Sequence, residues 1–297
     1  MHTKSSFFPF AIAAILVSIQ AAATPMTKVV TGFANPESVL IDGPRRFVSN
    51  IGEQLDPLGH DGDGFISELD ADGRIVALHA FPTGEGKLDA PKGMAILSGT
   101  LYVADIDRIV GFDLATREQV FETRVPAGGS TLLNDLAVME GGLVVSDTLR
   151  GNIYRVDVGA GTFTTIAEGI PGANGLVWDT AKKRVLVVGL GAKFEGGDLY
   201  EISAEGQVRK IEWGPHGILD GLALLPDGRM IISDWRSIDP PAPGAITLYA
   251  ADGSASEPLD LGREIHGPAD FTVDVSRWEI WLPATVDGAI LIAPLKH

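Results

Sequence analysis

Six polar residues recur at the same point of six similar short segments: Glu37, Lys92, Asn134, Asn174, Asp220 and Asp270. Each opens an apolar run, as in Asn174-Gly175-Leu176-Val177 and Asp220-Gly221-Leu222-Ala223. A short turn then leads to a second apolar run, such as Val185-Leu186-Val187-Val188 or Met230-Ile231-Ile232-Ser233. Five of the six carry side-chain oxygen, and none is a histidine or a sulfur ligand. That donor set suits one hard divalent cation, Ca²⁺ first, with Mg²⁺, Mn²⁺ or Zn²⁺ as alternatives. Three carboxylates and one ammonium leave this column at −2, which one divalent cation neutralises. Without a cation, facing carboxylates in a narrow space repel one another.

The column needs a scaffold that returns to one place every 40–55 residues, the spacing between its successive members. Periods near that length, each holding several short strands and Gly or Asp turns, fit the blades of a β-propeller. Asp72-Gly73, Asp227-Gly228, Asp252-Gly253 and Asp287-Gly288 are hairpin dipeptides between apolar runs. The all-β expectation is therefore a six-bladed propeller. Repeats two to five have room for four strands, but the last runs out after three. Segment 27–31 is expected to complete it, joining the chain ends and removing an open edge. In such a fold the first strand of each blade lines a central channel, and all six column residues gather at one mouth. The loops 50–63, 189–196 and 234–243 overhang that mouth, where long loops on a rigid frame set specificity.

The remaining bulk properties bound the setting. Residues 1–23 read as a secretory signal: Lys4, an apolar stretch from Phe7 to Ile19, then Ala21-Ala22-Ala23. Residues 24–297 are then one propeller domain, periplasmic or secreted, with no membrane association once the signal is removed. Removing residues 1–23 takes one Lys and no acid, so the formal charge moves from −16 to −17. Such a chain repels phosphate backbones, which argues against a nucleic-acid partner. There is no cysteine, no Gly-x-Ser-x-Gly and no phosphate-binding loop.

With these residues in view, the chain resembles the senescence marker protein/regucalcin/gluconolactonase family, and more distantly the paraoxonases. The resemblance spans all six repeats. Glu37 matches the family's first-blade metal glutamate. Asn174, in Asn174-Gly175-Leu176, matches its metal asparagine, and Asp220, in Asp220-Gly221-Leu222, its metal aspartate, which doubles as acid/base. Asn134, in Leu133-Asn134-Asp135, matches the third-blade Asn-Asp position near the metal. The resemblance implies a metal-dependent hydrolase of a small-molecule lactone or ester. Leu132 stands where the sugar-lactonase members carry an arginine used on substrate, which counts against gluconolactone itself. Lys92 has no counterpart in the family's metal set.

In the mechanism these residues suggest, the metal polarises the carbonyl and Asp220 orients or deprotonates the attacking water. Lys92 adds positive charge toward the oxyanion or a substrate carboxylate, and Asp270 is a fifth ligand or charge partner. Asp135, His216 and His266 are assigned to substrate binding; each histidine lies four residues before a column aspartate. Asp61-Gly62-Asp63-Gly64 resembles part of a calcium loop but reads better as a turn, since its flanks look like strand. Asp105, Asp107 and Asp147 are expected to cap strand ends. Two rival readings share the scaffold: a non-catalytic, NHL-like propeller that binds a ligand or protein, and a strictosidine-synthase-like or lyase-like enzyme.

Overall fold

In the computed structural model, which describes residues 26–295 and His2, the alternating apolar segments form strands, with no helix among the described residues. Residues 1–23, apart from His2, lie outside the described residues, so the signal assignment does too. The strands build six antiparallel sheets, five of them following chain order from the channel outward. Blade one is Pro36–Asp42, Arg45–Asn50, Phe65–Asp70 and Ile75–Phe81. Blade four is Ala173–Asp179, Arg184–Gly189, Gly197–Ile202 and Val208–Lys210, with the short strand His216–Gly217 added to its third member. Neighbouring first strands pack against one another around the centre. This is the six-bladed propeller that the repeat spacing predicts.

Blade six contributes Thr272–Asp274, Glu279–Ala284 and Ala289–Pro294. Its fourth strand is Lys28–Thr31, antiparallel to the last, with Lys28 opposite Ile292 and Thr31 opposite Ala289. The expected closure by the N-terminal segment is therefore present. A second tie joins blades one and six. The buried Arg46 guanidinium meets Asp274 at 2.6 Å and lies 5.0 Å from the centroid of the Trp281 ring.

Apolar layers between the blades hold them together. Between blades one and two, Phe47, Phe81, Leu88 and Phe112 are buried, and the Phe81 and Phe112 rings sit 5.2 Å apart. Truncating such a phenylalanine to alanine costs about 3–5 kcal/mol.

One irregularity recurs in the first strands and positions the chemistry. In blade one Pro36 pairs with Asn50, but Val39 pairs with Val48, so Glu37 and Ser38 together oppose Ser49. The same bulge follows Pro91, Leu133, Ala173 and Leu219 in blades two to five. A bulge of this kind re-aims side chains and leaves a backbone amide unpaired. Serines on the second strand take up that amide in three blades. Ser49, Ser146 and Ser233 accept from the N–H of Ser38, Asp135 and Gly221 at 2.9, 3.0 and 2.6 Å.

The last residue of the second strand then fixes the loop that enters the first. Asp105 accepts from the amides of Asp89 and Ala90, and Asp147 from that of Leu132, as expected for capping residues. Asn50 and Asp234 do the same for Ala34 and Ile218. Asp63 accepts from the Glu53 amide at 2.9 Å, closing loop 50–63 on itself.

Candidate active site at the channel mouth

The bulges place Glu37, Lys92, Asn134, Asn174 and Asp220 at equivalent positions, each one residue past a paired strand residue. All five are buried, and all five line one cavity of about 240 Å³. In blades two, four and five the residue that follows is glycine, where strands crowd together. A Cβ on Gly175 would lie 2.1 Å from the Asp220 carbonyl oxygen, and one on Gly93 would lie 2.5 Å from the Asp135 Cα. The glycines of Lys92-Gly93, Asn174-Gly175 and Asp220-Gly221 are thus packing requirements that let the polar residues converge.

The floor of the cavity is short of hydrogen-bond partners. Glu37 Oε2, Asn174 Oδ1 and Asp220 Oδ1 are buried and have none among the described residues. The amide nitrogens beside them are engaged: Asn174 Nδ2 donates to the Leu219 carbonyl at 3.3 Å, and Asn134 Nδ2 to Thr148 Oγ1 at 3.1 Å. Asp220 Oδ2 accepts from the Trp235 indole at 2.6 Å. Lys92 Nζ donates to the carbonyls of Pro57 and Ala90 at 2.9 and 2.8 Å. Unpaired buried oxygen is costly unless a ligand completes it. Among the described residues no three His, Cys, Asp or Glu side chains form a metal-holding group. The oxygen set at this floor consists of two carboxylates and two amides.

Burial dominates the electrostatics. It pushes the Glu37 carboxyl well above the usual range, helped by the charges of Asp220 and Asp270 and opposed by Lys92. Asp220 is raised to about 7, by burial first and then by Asp270, against the stabilising Trp235 indole, Asn174 amide and Lys92 ammonium. Burial lowers Lys92 to about 8 in spite of the nearby Glu37 and Asp105 carboxylates. Groups shifted toward neutrality in a cleft mark candidate acid–base sites.

Above this floor the walls are apolar. Loop 50–63 supplies Ile51, Leu55 and Pro57, and the loop entering blade three supplies Leu132. Leu190, Phe194, Ile218, Trp235 and Ile238 close the other side. The three overhanging loops expected from sequence are therefore the ones that shape the cavity.

Four assigned residues fall elsewhere. Asp270 is one residue out of register. Pro268 bridges Ala284, so Ala269 occupies the sixth column position, and the column holds two carboxylates and one ammonium instead of three and one. Asp270 belongs with Ser38 and Asp135 in a second ring, lining a separate hollow of about 250 Å³. There its Oδ2 accepts from Ser38 Oγ at 2.5 Å, and burial raises its carboxyl to about 6. Asp135 is bonded to backbone on both oxygens, Oδ1 to the Leu136 amide at 2.6 Å and Oδ2 to the Leu176 amide at 2.7 Å, which stitches blade three to blade four. His216 and His266 lie outside the cavity and face Asp198 and Asp287, each at 3.0 Å. None of these four lines the mouth cavity. Trp235 and Thr148, which do line it, are not legible in the column because they come from second strands and their loops.

No protein-family model and no curated protein matches the chain. Solved structures do resemble it. A catalytically inactive virginiamycin B lyase from Staphylococcus aureus with quinupristin aligns at a TM-score of 0.58 and 14% identity, over 91% of this chain and 100% of that one. A streptogramin B lyase aligns at 0.60 and 13%, over 91% and 98%. The extracellular domain of a putative one-component system from B. thetaiotaomicron aligns at 0.54 and 17%, over 86% of this chain and 32% of that one. These structures establish the propeller fold. They are not members of the gluconolactonase family that the column motifs resemble.

Proposed function

We propose that this propeller is an exported enzyme that hydrolyses a small-molecule lactone or ester with the help of one divalent cation at the channel mouth. The observation that carries this reading is the trio of unpartnered buried oxygens, Glu37 Oε2, Asn174 Oδ1 and Asp220 Oδ1, at the floor of one cavity. The fit to a cation is chemical: all three are hard oxygen donors, two belong to carboxylates, and Asn134 lies beside them. Glu37, Asn174 and Asp220 would hold it, with Asn134 as a fourth donor, and Ca²⁺ suits the set best. Bound there, the cation would supply Lewis acidity toward a carbonyl oxygen.

The chain's own groups do the rest. Asp220, raised to about 7 in the cation-free chain, would be ionised beside the cation and orient the attacking water. Trp235 holds its Oδ2 and so turns Oδ1 toward the proposed cation. Lys92, pinned by two carbonyls, places positive charge beside the developing oxyanion. The apolar walls keep bulk water out and strengthen these charges. Asp270, in the lower ring, adds negative potential beneath Asp220 without facing the mouth.

The test is to purify the mature protein, measure bound metal, and assay lactones and aryl esters with and without chelator. Chelator-sensitive turnover restored by Ca²⁺ supports the reading. Full activity without any metal overturns it. Two of the similar structures are lyases by name, which favours elimination on the same scaffold as the second reading. Products separate the two, because hydrolysis in ¹⁸O-water labels the acid and elimination leaves an unsaturated product.

A further inference from the structure

The walls of the mouth cavity say what kind of substrate fits, once the hydrolase reading is granted. Polar groups in those walls are already engaged. Thr285 Oγ1 donates to the Pro36 carbonyl at 2.7 Å, Thr148 Oγ1 donates to the Ala173 carbonyl at 2.7 Å while accepting from Asn134, and the Trp235 indole serves Asp220. A polyol lodged here would set its hydroxyls against hydrocarbon and leave them unpaired, at a penalty for each. An alkyl or aryl group would lose nothing.

The apolar lining also continues outward. Leu55, Phe194 and Ile238 line the cavity and remain 43%, 42% and 41% exposed. They come from three separate overhanging loops, in blades one, four and five. Large apolar side chains left in water at the rim of a pocket whose floor is polar mark a site for an amphiphilic ligand.

We propose that the mouth selects uncharged lactones and esters bearing a hydrophobic chain or ring. The ester group reaches the Glu37–Asn174–Asp220 floor while the hydrophobic part lies against Leu55, Phe194 and Ile238. This rests on the hydrolase reading for its reaction but not for its ligand preference.

The test has two arms. In the first, kcat/KM is measured for p-nitrophenyl acetate through octanoate, for γ-lactones with methyl through hexyl substituents, and for gluconolactone. The value is expected to rise with chain length, by up to about fourfold per methylene while the chain stays inside the cavity. Phe194→Ser with Ile238→Asn should cut the octanoate-to-acetate ratio at least fivefold. Val120→Ser, an exposed apolar residue on the outer strand of blade two, should leave that ratio unchanged. In the second arm, calorimetry follows binding of butanamide, hexanamide, octanamide and gluconamide, which need no turnover. Affinity that rises with chain length and falls in the double variant supports the proposal even if no ester is hydrolysed, in which case the hydrolase reading alone fails. Turnover without chain-length dependence, or tighter binding of gluconamide than of octanamide, overturns it and leaves the hydrolase reading standing.

Discussion

The Trp235 indole donates to Asp220 Oδ2 at 2.6 Å, reaching from the loop after the second strand of blade five to the first strand of the same blade. This bond favours the ionised carboxylate and is one of the influences holding Asp220 down at about 7. Trp235→Phe keeps most of the ring and deletes the donor. The Asp220 carboxyl should then titrate higher, by about one unit for the loss of a charge-assisted bond. In chelated protein the Asp220 titration, followed by NMR of the carboxyl carbon, moves up by that amount. An unmoved titration would show that the indole bond does not hold the carboxylate down.

Glu37→Gln should separate cation binding from folding. Burial and the neighbouring carboxylates disfavour ionised Glu37 in the chelated protein, and the amide removes that burden. The variant is expected to melt at or above the temperature of the chelated wild type, yet to lose the stabilisation that Ca²⁺ confers on the wild type. Thermal scans with EDTA and with excess Ca²⁺ read both effects. Calorimetric cation affinity should drop at least tenfold.

Asp270 gives a pH-dependent difference in the metal-free protein. Its carboxyl titrates at about 6 in the folded chain, against about 3.9 in an unfolded one. Between those values the folded state holds the extra proton, so this group's contribution to stability is present at pH 4 and is lost as pH rises through 6. Asp270→Asn removes that loss. Denaturant titrations of chelated protein should show the variant gaining on the wild type from pH 4 to pH 7, by on the order of 2 kcal/mol. A difference that is constant with pH would refute the assignment.

Gly175→Ala tests the packing that lets the floor converge. The new Cβ would meet the Asp220 carbonyl oxygen at 2.1 Å, so the first strands of blades four and five must part. The expected loss is about 1–3 kcal/mol of stability by urea unfolding, the range for overpacking a tight interior. Cation affinity should fall with it, because Asn174 and Asp220 sit on the two strands that separate.

How far the sequence carried depended on what leaves a mark in it. Strand period, turn dipeptides and repeat length mark the propeller and its closure, since both faces of each sheet are buried and the hairpins need Gly. Glu37, Lys92, Asn134, Asn174 and Asp220 were legible because each precedes a crowded position before an apolar run. Asp270 looked the same and was not, because Asp270-Phe271 imitates Asp220-Gly221 while the Pro268–Ala284 bridge places Ala269 in the column. That slip also produced the apparent match between His216 and His266, which stand at different offsets once the register is corrected. Trp235, Thr148 and the apolar walls come from other strands and loops, and no local pattern announces which of them will meet.

The pairing of Lys28–Thr31 with Ala289–Pro294 has a consequence for how the molecule is made. Strand Lys28–Thr31 must wait for Ala289–Pro294, so the ring cannot lock until both are present. Contacts this distant in sequence fold slowly. In the interval the unfinished sixth blade is a vacant berth for any extended segment, including the leading strand of a neighbouring copy. Two chains that exchange these strands would each complete the other's blade and emerge linked, and dilution during refolding should favour the self-closed form.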